Sequence, residues 1–512
     1  MEYILSKDEM NKADERTFGV MHISSAVLME RAALAVADCV CQILKKDSRE
    51  EARILVAAGI GNNGGDGFAA GRILMERSLE VDFCLIGNEE KSSPAEKEEI
   101  ASVRALDENK EIFKKVPDRH YDIVIDAIFG VSLNRNVEGI FAGAVEAINS
   151  KREAGTKIVS IDIPSGIDAD TGHIMGCSVI ADYTVACAYK KPGLLLNPGG
   201  IRAGKIITAS IGITEKSFEG IPKITAPDIN DLTLPKRVSD SNKGTYGKVL
   251  IVAGSDEICG AAVLAASAAL RTGCGMVRVF THENNRVAIQ TILPEALITS
   301  YGSKLKDFEK LKKALEWCDS IVIGPGIGSS VFACDLLEFL LKEAKVPMVL
   351  DADALNIIAK NQSLLTYASS DTVITPHIGE MSRLSGLPID TVKAHPIETA
   401  RDFAAAYNLV CVLKDARTVT VTPDGRIVIN TSGNDGMSTA GSGDVLAGMT
   451  GSLMAQGVES REAAWRAVFL HGAAGDMAKE KFGAHTMLAS DIISSISELD
   501  IRDCSDKIRN CP

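Results

Sequence analysis

The chain repeats one local pattern. Short runs of β-branched and other apolar residues are each cut off by a glycine or an aspartate, and each is followed by a stretch with helical periodicity. Arg53-Ile54-Leu55-Val56-Ala57-Ala58 runs into Gly59-Ile60-Gly61-Asn62-Asn63-Gly64-Gly65-Asp66-Gly67 and then into the apolar helix Phe68 to Leu74. A continuous apolar run suits a strand buried on both faces, and strands alternating with helices pair in parallel under two helical layers. The expected fold class is α/β, with three αβα layers.

At 512 residues the chain exceeds one ordinary core. From about Glu215 to Pro235 the apolar pattern lapses among Pro222, Pro227 and Pro235. The expected division is therefore a first domain over 1–215, a linker over 216–235 and a second domain over 236–512. A formal net charge of −13 disfavours nucleic acid or an anionic membrane as partner and favours small ligands. The twelve cysteines include no Cys-x-x-Cys pair, which argues against a zinc ribbon or a thioredoxin-type dithiol. The N-terminus turns acidic at Asp8-Glu9 before any signal-peptide apolar core forms, and Ala261 to Leu270 is too short to span a bilayer, so the reading is cytoplasmic.

In the first half, Met10, Ala13, Phe18 and then Val27 to Val36 recur at helical spacing, which predicts two packing helices up to about Leu44. Gly59, Gly61 and Gly64 satisfy the dinucleotide fingerprint, yet Asn62, Asn63 and Asp66 set amides and an acid where pyrophosphate expects neither. Two further strands end alike, in Asp126-Ala127-Ile128-Phe129-Gly130 and Asp162-Ile163-Pro164-Ser165-Gly166. Ligands of an open parallel sheet bind at the carboxyl ends of its strands, so Asn63, Asp66, Asp126, Asp162 and Ser165 should face one crevice, where a hard cation such as potassium suits them. The plainer alternative makes each acid a helix cap or turn former.

These motifs, with Leu28-Met29-Glu30 ahead and Lys190-Lys191-Pro192-Gly193 behind, resemble the NAD(P)H-hydrate epimerase family over residues 1 to 215. The resemblance implies a Rossmann-like domain in which Asn62, Asn63, Gly64, Gly65, Asp66 and the loop from Gly130 to Asn136 hold a hydrated dinucleotide. It further implies potassium at Asn63, Asp126 and Ser165, with Asp162 as the acid/base. Lys191 is either a phosphate contact or a solvated lysine.

The second half offers Lys243 to Lys248 before a strand, then Gly324-Pro325-Gly326, Asp351-Ala352-Asp353-Ala354-Leu355-Asn356, Thr375-Pro376-His377-Ile378-Gly379-Glu380 and Lys414-Asp415-Ala416-Arg417-Thr418 at further strand ends. Lys414, Arg417 and Thr418 supply donors for a nucleotide's phosphate and ribose. Asp351 to Asn356 either holds a cation such as magnesium or caps the helix beginning at Ala354. Gly433-Asn434-Asp435-Gly436-Met437-Ser438-Thr439-Ala440-Gly441-Ser442-Gly443-Asp444 then crowds small residues against one carboxylate just before a helix. Glycines there let an anion sit on the helix-terminal amides, and Asp444 beside it suggests proton or metal chemistry.

Together with His471-Gly472-Ala473-Ala474-Gly475-Asp476, these stretches resemble the ribokinase-like superfamily, and within it the ADP/ATP-dependent NAD(P)H-hydrate dehydratase family. By that resemblance Gly326, His377 and Asp444 touch the hydrated dinucleotide, and Lys414, Asp415, Ala416, Arg417, Thr418 and Gly443 hold the adenine nucleotide, with Asp444 catalytic. Ile378, Asp415, Arg417 and Asp435 depart from the usual family residues. The implied activity is bifunctional: epimer exchange of hydrated NADH or NADPH, then dehydration driven by ADP, or alternatively ATP, with K+ and Mg2+, in a homo-oligomer. The rival readings are a small-molecule kinase fused to a dinucleotide-binding module and a non-catalytic dinucleotide sensor.

Overall fold

A computed structural model describes residues 1–49, 52–302 and 307–499; the end of the expected second domain, 500–512, lies outside the described residues. The chain divides into two compact bodies, one over residues 3–222 and one from Lys223 onward together with Met1–Glu2.

In the first body seven strands pair side by side, all in parallel. From edge to edge they are Ile112–Phe113, Glu80–Leu85, Arg53–Ala58, Ile123–Ala127, Lys157–Ile161, Tyr183–Cys187 and Lys205–Ala209. Numbered along the chain the order is 3-2-1-4-5-6-7, the Rossmann arrangement with one added edge strand. Alternation along a strand sends successive side chains to opposite faces. Ile54, Val56 and Ala58 therefore pack with residues of helices Ser25–Lys46 and Asn62–Glu76, while Leu55 and Ala57 pack with Ala144, Val145 and Ile148 of helix Gly139–Glu153.

The expected helix at Phe68 in fact starts at Asn62, after Gly61 in extended backbone. Gly64, Gly65, Asp66 and Gly67 thus lie inside the helix, and three of its glycines serve contact. A Cβ on Gly67 would lie 2.5 Å from Ala127 Cβ, and one on Gly71 2.4 Å from Phe83. On Gly64 it would lie 2.1 Å from the Gly59 carbonyl. The helix approaches the sheet closely because these positions have no side chain.

The second body carries a sheet ordered Ile224–Ala226, Ile427–Ile429, Val419–Val421, Val410–Leu413, Thr372–Ile374, Met348–Leu350, Ser320–Ile323, Lys248–Val252, Met276–His282 and Leu297–Tyr301. The strands are parallel except for the antiparallel meander through Val410–Leu413, Val419–Val421 and Ile427–Ile429. The stretch expected to be linker contains the strand Ile224–Ala226, which pairs with Ile427–Ile429. Pro222 and Pro227 flank it at the positions where a strand tolerates proline.

Helices Gly260–Arg271, Ser442–Ala455 and Ser460–Phe482 cover one face. Gly448 brings two of them together: a Cβ there would lie 2.1 Å from the Ala265 carbonyl. Among the described residues no helix is long and apolar enough to cross a membrane.

Candidate active sites

In the first body the two central strands, Arg53–Ala58 and Ile123–Ala127, feed connections in opposite directions. Their carboxyl ends open onto a cavity of about 690 Å³ lined by Asn62, Asn63, Asp66, Gly130 and Asp162, among others. Such a switch point is where doubly wound sheets bind ligands. Asn134 and Arg135 also line it, whereas Asn136 is exposed and outside the lining. Gly64 and Gly65 are buried in the helix and likewise do not line it.

Asp162 follows the strand Lys157–Ile161 with φ of 64°, a left-handed conformation uncommon for a residue with a side chain. Neighbours hold it there. Its N–H donates to the Val185 carbonyl at 2.8 Å, and its Oδ1 accepts from the Cys187 N–H at 2.9 Å and from the Lys191 ammonium. Lys191, expected either on phosphate or in solvent, is instead fully buried, pairs with Asp162 and donates to the Cys187 carbonyl at 3.1 Å.

The same cavity holds two carboxyls that accept no hydrogen bond among the described residues, Asp66 and Asp14. Burial pushes Asp66 well above the usual carboxylate range, and Asp162 and Asp14 add to the shift. Burial likewise lifts Asp14 to about 6, against the pull of Lys191. Asp14 escaped the sequence reading, which assigned its helix, Lys7–Gly19, to packing. The available signal was an acid set between Met10, Ala13 and Thr17 on the buried stripe.

Asp126, expected with Ser165 to face this crevice, is fully buried instead, and neither residue is in the cavity lining. Its Oδ2 accepts from Ser160 Oγ at 2.7 Å and Ser165 N–H at 2.9 Å, and its Oδ1 from Ser165 Oγ at 2.6 Å. Burial raises its pKa although these bonds oppose the shift. No lysine or arginine pairs with it among the described residues. Asn63 approaches the same corner: its Oδ1 would be 3.2 Å from a Cβ on Gly130, and its Nδ2 is buried with no partner among the described residues. The donor set is hard oxygen with one negative charge, which fits a monovalent cation such as potassium.

In the second body the helix after the glycine-rich stretch begins at Ser442, so Ser442, Gly443 and Asp444 form its first turn, with Gly441 as N-cap at φ of 88°. Ser442 N–H reaches the Thr439 carbonyl at 3.3 Å, whereas the Gly443 and Asp444 amides have no protein acceptor among the described residues. Lys414 stands over this turn: a Cβ on Gly443 would lie 3.3 Å from Lys414 Nζ and 3.8 Å from Asp351 Oδ2. Free amides, a helix terminus and an ammonium together make an anion site. Burial first, then Asp351 and Asp353, raise Asp444 to about 7, with Lys414 opposing.

Asp351 accepts from Lys414 Nζ at 2.8 Å and from Thr375 Oγ1 at 2.7 Å, and it is almost wholly buried. Burial works against the Lys414 charge, but Asp351, Glu380 and Asp444 outweigh it and raise the lysine's pKa. The segment 351–356 therefore holds Lys414 through Asp351 and does not cap its helix as expected. Its helix starts at Asp353 behind Ala352, no side chain caps it, and Asp353 Oδ2 instead accepts from Gly328 N–H at 2.9 Å.

His377 caps helix Ile378–Ser385: its Nδ1 accepts from the Gly379 and Glu380 amides at 2.9 and 3.3 Å, and Glu380 Oε2 accepts from His377 N–H at 2.8 Å. Burial, Lys414 and Arg383 lower its pKa, so Nε2 carries the remaining proton of a neutral ring. The expected nucleotide segment is split. Lys414 lies over the helix turn, Asp415 and Ala416 are exposed, Arg417 donates to the Thr431 carbonyl at 2.8 Å, and Thr418 is buried. Gly326, at φ of 64°, presses on Ile258, whose Cγ2 would lie 2.7 Å from a Cβ there.

A Rossmann-like body with an acid-lined crevice, followed by a second α/β body whose carboxylate and ammonium meet at a helix terminus, defines an enzyme with two nucleotide-type sites. Residues 249–498 match the family model for NAD(P)H-hydrate dehydratase and residues 25–193 the model for the YjeF-related protein N-terminus. The chain belongs to the family of bifunctional NAD(P)H-hydrate repair enzymes. A protein of that name from Moorella thermoacetica is 35% identical, with 96% of this chain and 95% of that protein covered. One from Thermofilum pendens is 34% identical over 90% of this chain and 89% of that protein. The crystal structure of a ribokinase-like superfamily protein from Enterococcus faecalis matches with a TM-score of 0.50 and 28% identity, covering 55% of this chain and 96% of that one.

Proposed function

We propose that the first domain interconverts the C6 epimers of hydrated NADH or NADPH and that the second dehydrates one epimer at the expense of ADP. The observation that carries this reading is Asp444, a carboxyl poised near neutrality beside an anion site.

In the first domain Asp162, paired with Lys191, takes the proton of the C6 hydroxyl. The bond from C6 to the ring nitrogen opens, the nitrogen gains a proton, and the aldehyde recloses on either face. Asp66, whose protonated form burial favours, is the donor available in that cavity, whereas Asp14, lifted only to about 6, is mostly ionised at neutral pH. Such positioned proton transfers contribute roughly 10² to 10⁴ in rate. Asn63, Asp126 and Ser165 would hold potassium, whose charge there offsets the acids and favours entry of a phosphorylated ligand.

In the second domain Asp444 removes the C6 hydroxyl proton as that oxygen attacks the terminal phosphorus of ADP, and AMP leaves. The Gly443 and Asp444 amides and Lys414 stabilise the transferring phosphoryl group. Phosphate then departs from C6, driven by the ring-nitrogen lone pair, and loss of a C5 proton restores the dihydronicotinamide. The water removed ends in the phosphate. Asp351 and Asp353 are already paired, so the residues do not form a protein cage for magnesium, which in this reading travels on the nucleotide's phosphates.

The test is incubation with hydrated NADH plus ADP or ATP, following recovery of the reduced-nicotinamide absorbance. Absence of recovery with both nucleotides overturns the reading, and a stable phosphorylated product points to a kinase instead. Asp444→Asn should abolish dehydration and spare epimer exchange, and Asp162→Asn should do the reverse. Loss of both activities in either variant contradicts the two-site assignment.

A further inference from the structure

The glycine-rich stretch before Asp444 is half-buried loop at its start, and it must present two amides to a phosphoryl group at a fixed place. Helix Ser460–Phe482 holds it from behind. Asp476 Oδ2 accepts from the Gly433 N–H at 2.9 Å, and Asp476 Oδ1 accepts from Asn434 Nδ2 at 2.8 Å. Asn434 Oδ1 in turn accepts from the Gly436 N–H at 3.0 Å, passing the hold into the loop. At the far end His471 Nε2 lies 3.2 Å from Ser442 Oγ, in the catalytic turn itself.

The loop can lie against this helix only because the helix has no side chains in the way. A Cβ on Gly472 would lie 2.2 Å from Ser432 Oγ and 2.9 Å from Gly433 N, and one on Gly475 2.3 Å from Met437 Sδ. Ser432 Oγ adds a bond to the Phe469 carbonyl at 2.9 Å. One helix thus grips both ends of the segment that carries the anion site.

We infer that Asp476 is a positioning residue for the dehydration reaction, acting through Gly433 and Asn434 to set the path of the loop that delivers the Gly443 and Asp444 amides. The inference rests on the assignment of dehydration to the second domain. Asp476 touches no reacting atom. Its carboxylate satisfies two donors at once, which no neutral side chain of that size does, since an asparagine would set its own amino group against that of Asn434.

The experiment uses the full-length protein, hydrated NADH and ADP, and compares Asp476→Asn, Asn434→Asp and the double variant. Asp476→Asn should lower kcat for dehydration by about 10²-fold, the scale on which a misplaced catalytic group acts. The KM for ADP should change far less, and epimer exchange in the same chain should be unaffected. The double variant restores the pair with donor and acceptor exchanged, and should recover most of kcat. Full activity in Asp476→Asn, or loss of kcat without recovery in the double variant, overturns the inference. A fall in epimer exchange in step with dehydration also overturns it, because a general folding role then suffices. A wild-type protein that exchanges epimers without dehydrating them refutes the assignment of dehydration instead, a different result from any of these.

Discussion

The pH dependence of dehydration tests the second site most directly, because in the proposed reaction Asp444 must be ionised to accept the hydroxyl proton. With its pKa at about 7, half of the sites carry the base at neutral pH. The ionised fraction rises about tenfold between pH 6 and pH 8, and kcat/KM for dehydration should rise with it. The causes of the shift can be separated by mutation. Asp351 raises the Asp444 pKa and Lys414 lowers it. Asp351→Asn keeps the side chain's shape, removes the repelling charge and leaves the Lys414 ammonium unpaired, and both effects favour ionised Asp444. The acid limb should then move down by about one unit, within the range that a single nearby charge produces. The assay is kcat/KM for hydrated NADH at saturating ADP across pH 5 to 9, with epimer exchange of the same preparation as control. An unmoved limb in Asp351→Asn, or an upward shift, would show that Asp444 does not own that limb.

The elevated pKa also has a cost in stability with a definite sign. A carboxyl that binds its proton more tightly when folded loses stability as pH rises from about 4 to about 7, so Asp444→Asn should be more stable than the wild type above pH 7, by a few kcal/mol at most, with the gain vanishing near pH 4 in urea titrations. Lys414→Met strands the buried Asp351 carboxylate and should destabilise the second body by roughly 3 to 5 kcal/mol, seen as a lower urea midpoint, whereas Lys414→Arg should lose much less. Gly64→Ala drives a Cβ to 2.1 Å from the Gly59 carbonyl and 2.4 Å from Glu96 Oε1, so it should destabilise the first body by about 1 to 3 kcal/mol and weaken epimer exchange while dehydration persists. Replacing potassium by tetramethylammonium should slow epimer exchange and leave the Asp126→Asn variant, already impaired, insensitive to the change.

Much of both sites could be read from the chain, because the rule that places them is local. A parallel strand buried on both faces is a continuous apolar run, and whatever follows its carboxyl end faces the ligand side of the sheet. That rule brought Asn63, Asp66, Asp126, Asp162 and Ser165 to one list and Lys414 and Asp444 to another without any coordinates. It also separated the two halves, since the apolar rhythm lapses after Glu215. It did not show that Ile224–Ala226 joins the second sheet, because three residues between prolines carry no periodicity of their own.

What tertiary structure decided is which neighbour each polar group meets. Lys191 and Asp162 are 29 residues apart, and their pairing, which converts a candidate phosphate ligand into the partner of the proposed acid/base, exists only once both are buried together. Asp14 becomes part of the site only when its helix lies along the cavity. Asp351 turned from a metal candidate into the counter-charge of Lys414 across 63 residues. The sequence by itself determined where along the chain the candidate sites lie, since strand ends and helix starts are written in local periodicity. The fold decided which carboxyls are ionised, because protonation depends on burial and on charges that are neighbours only in space.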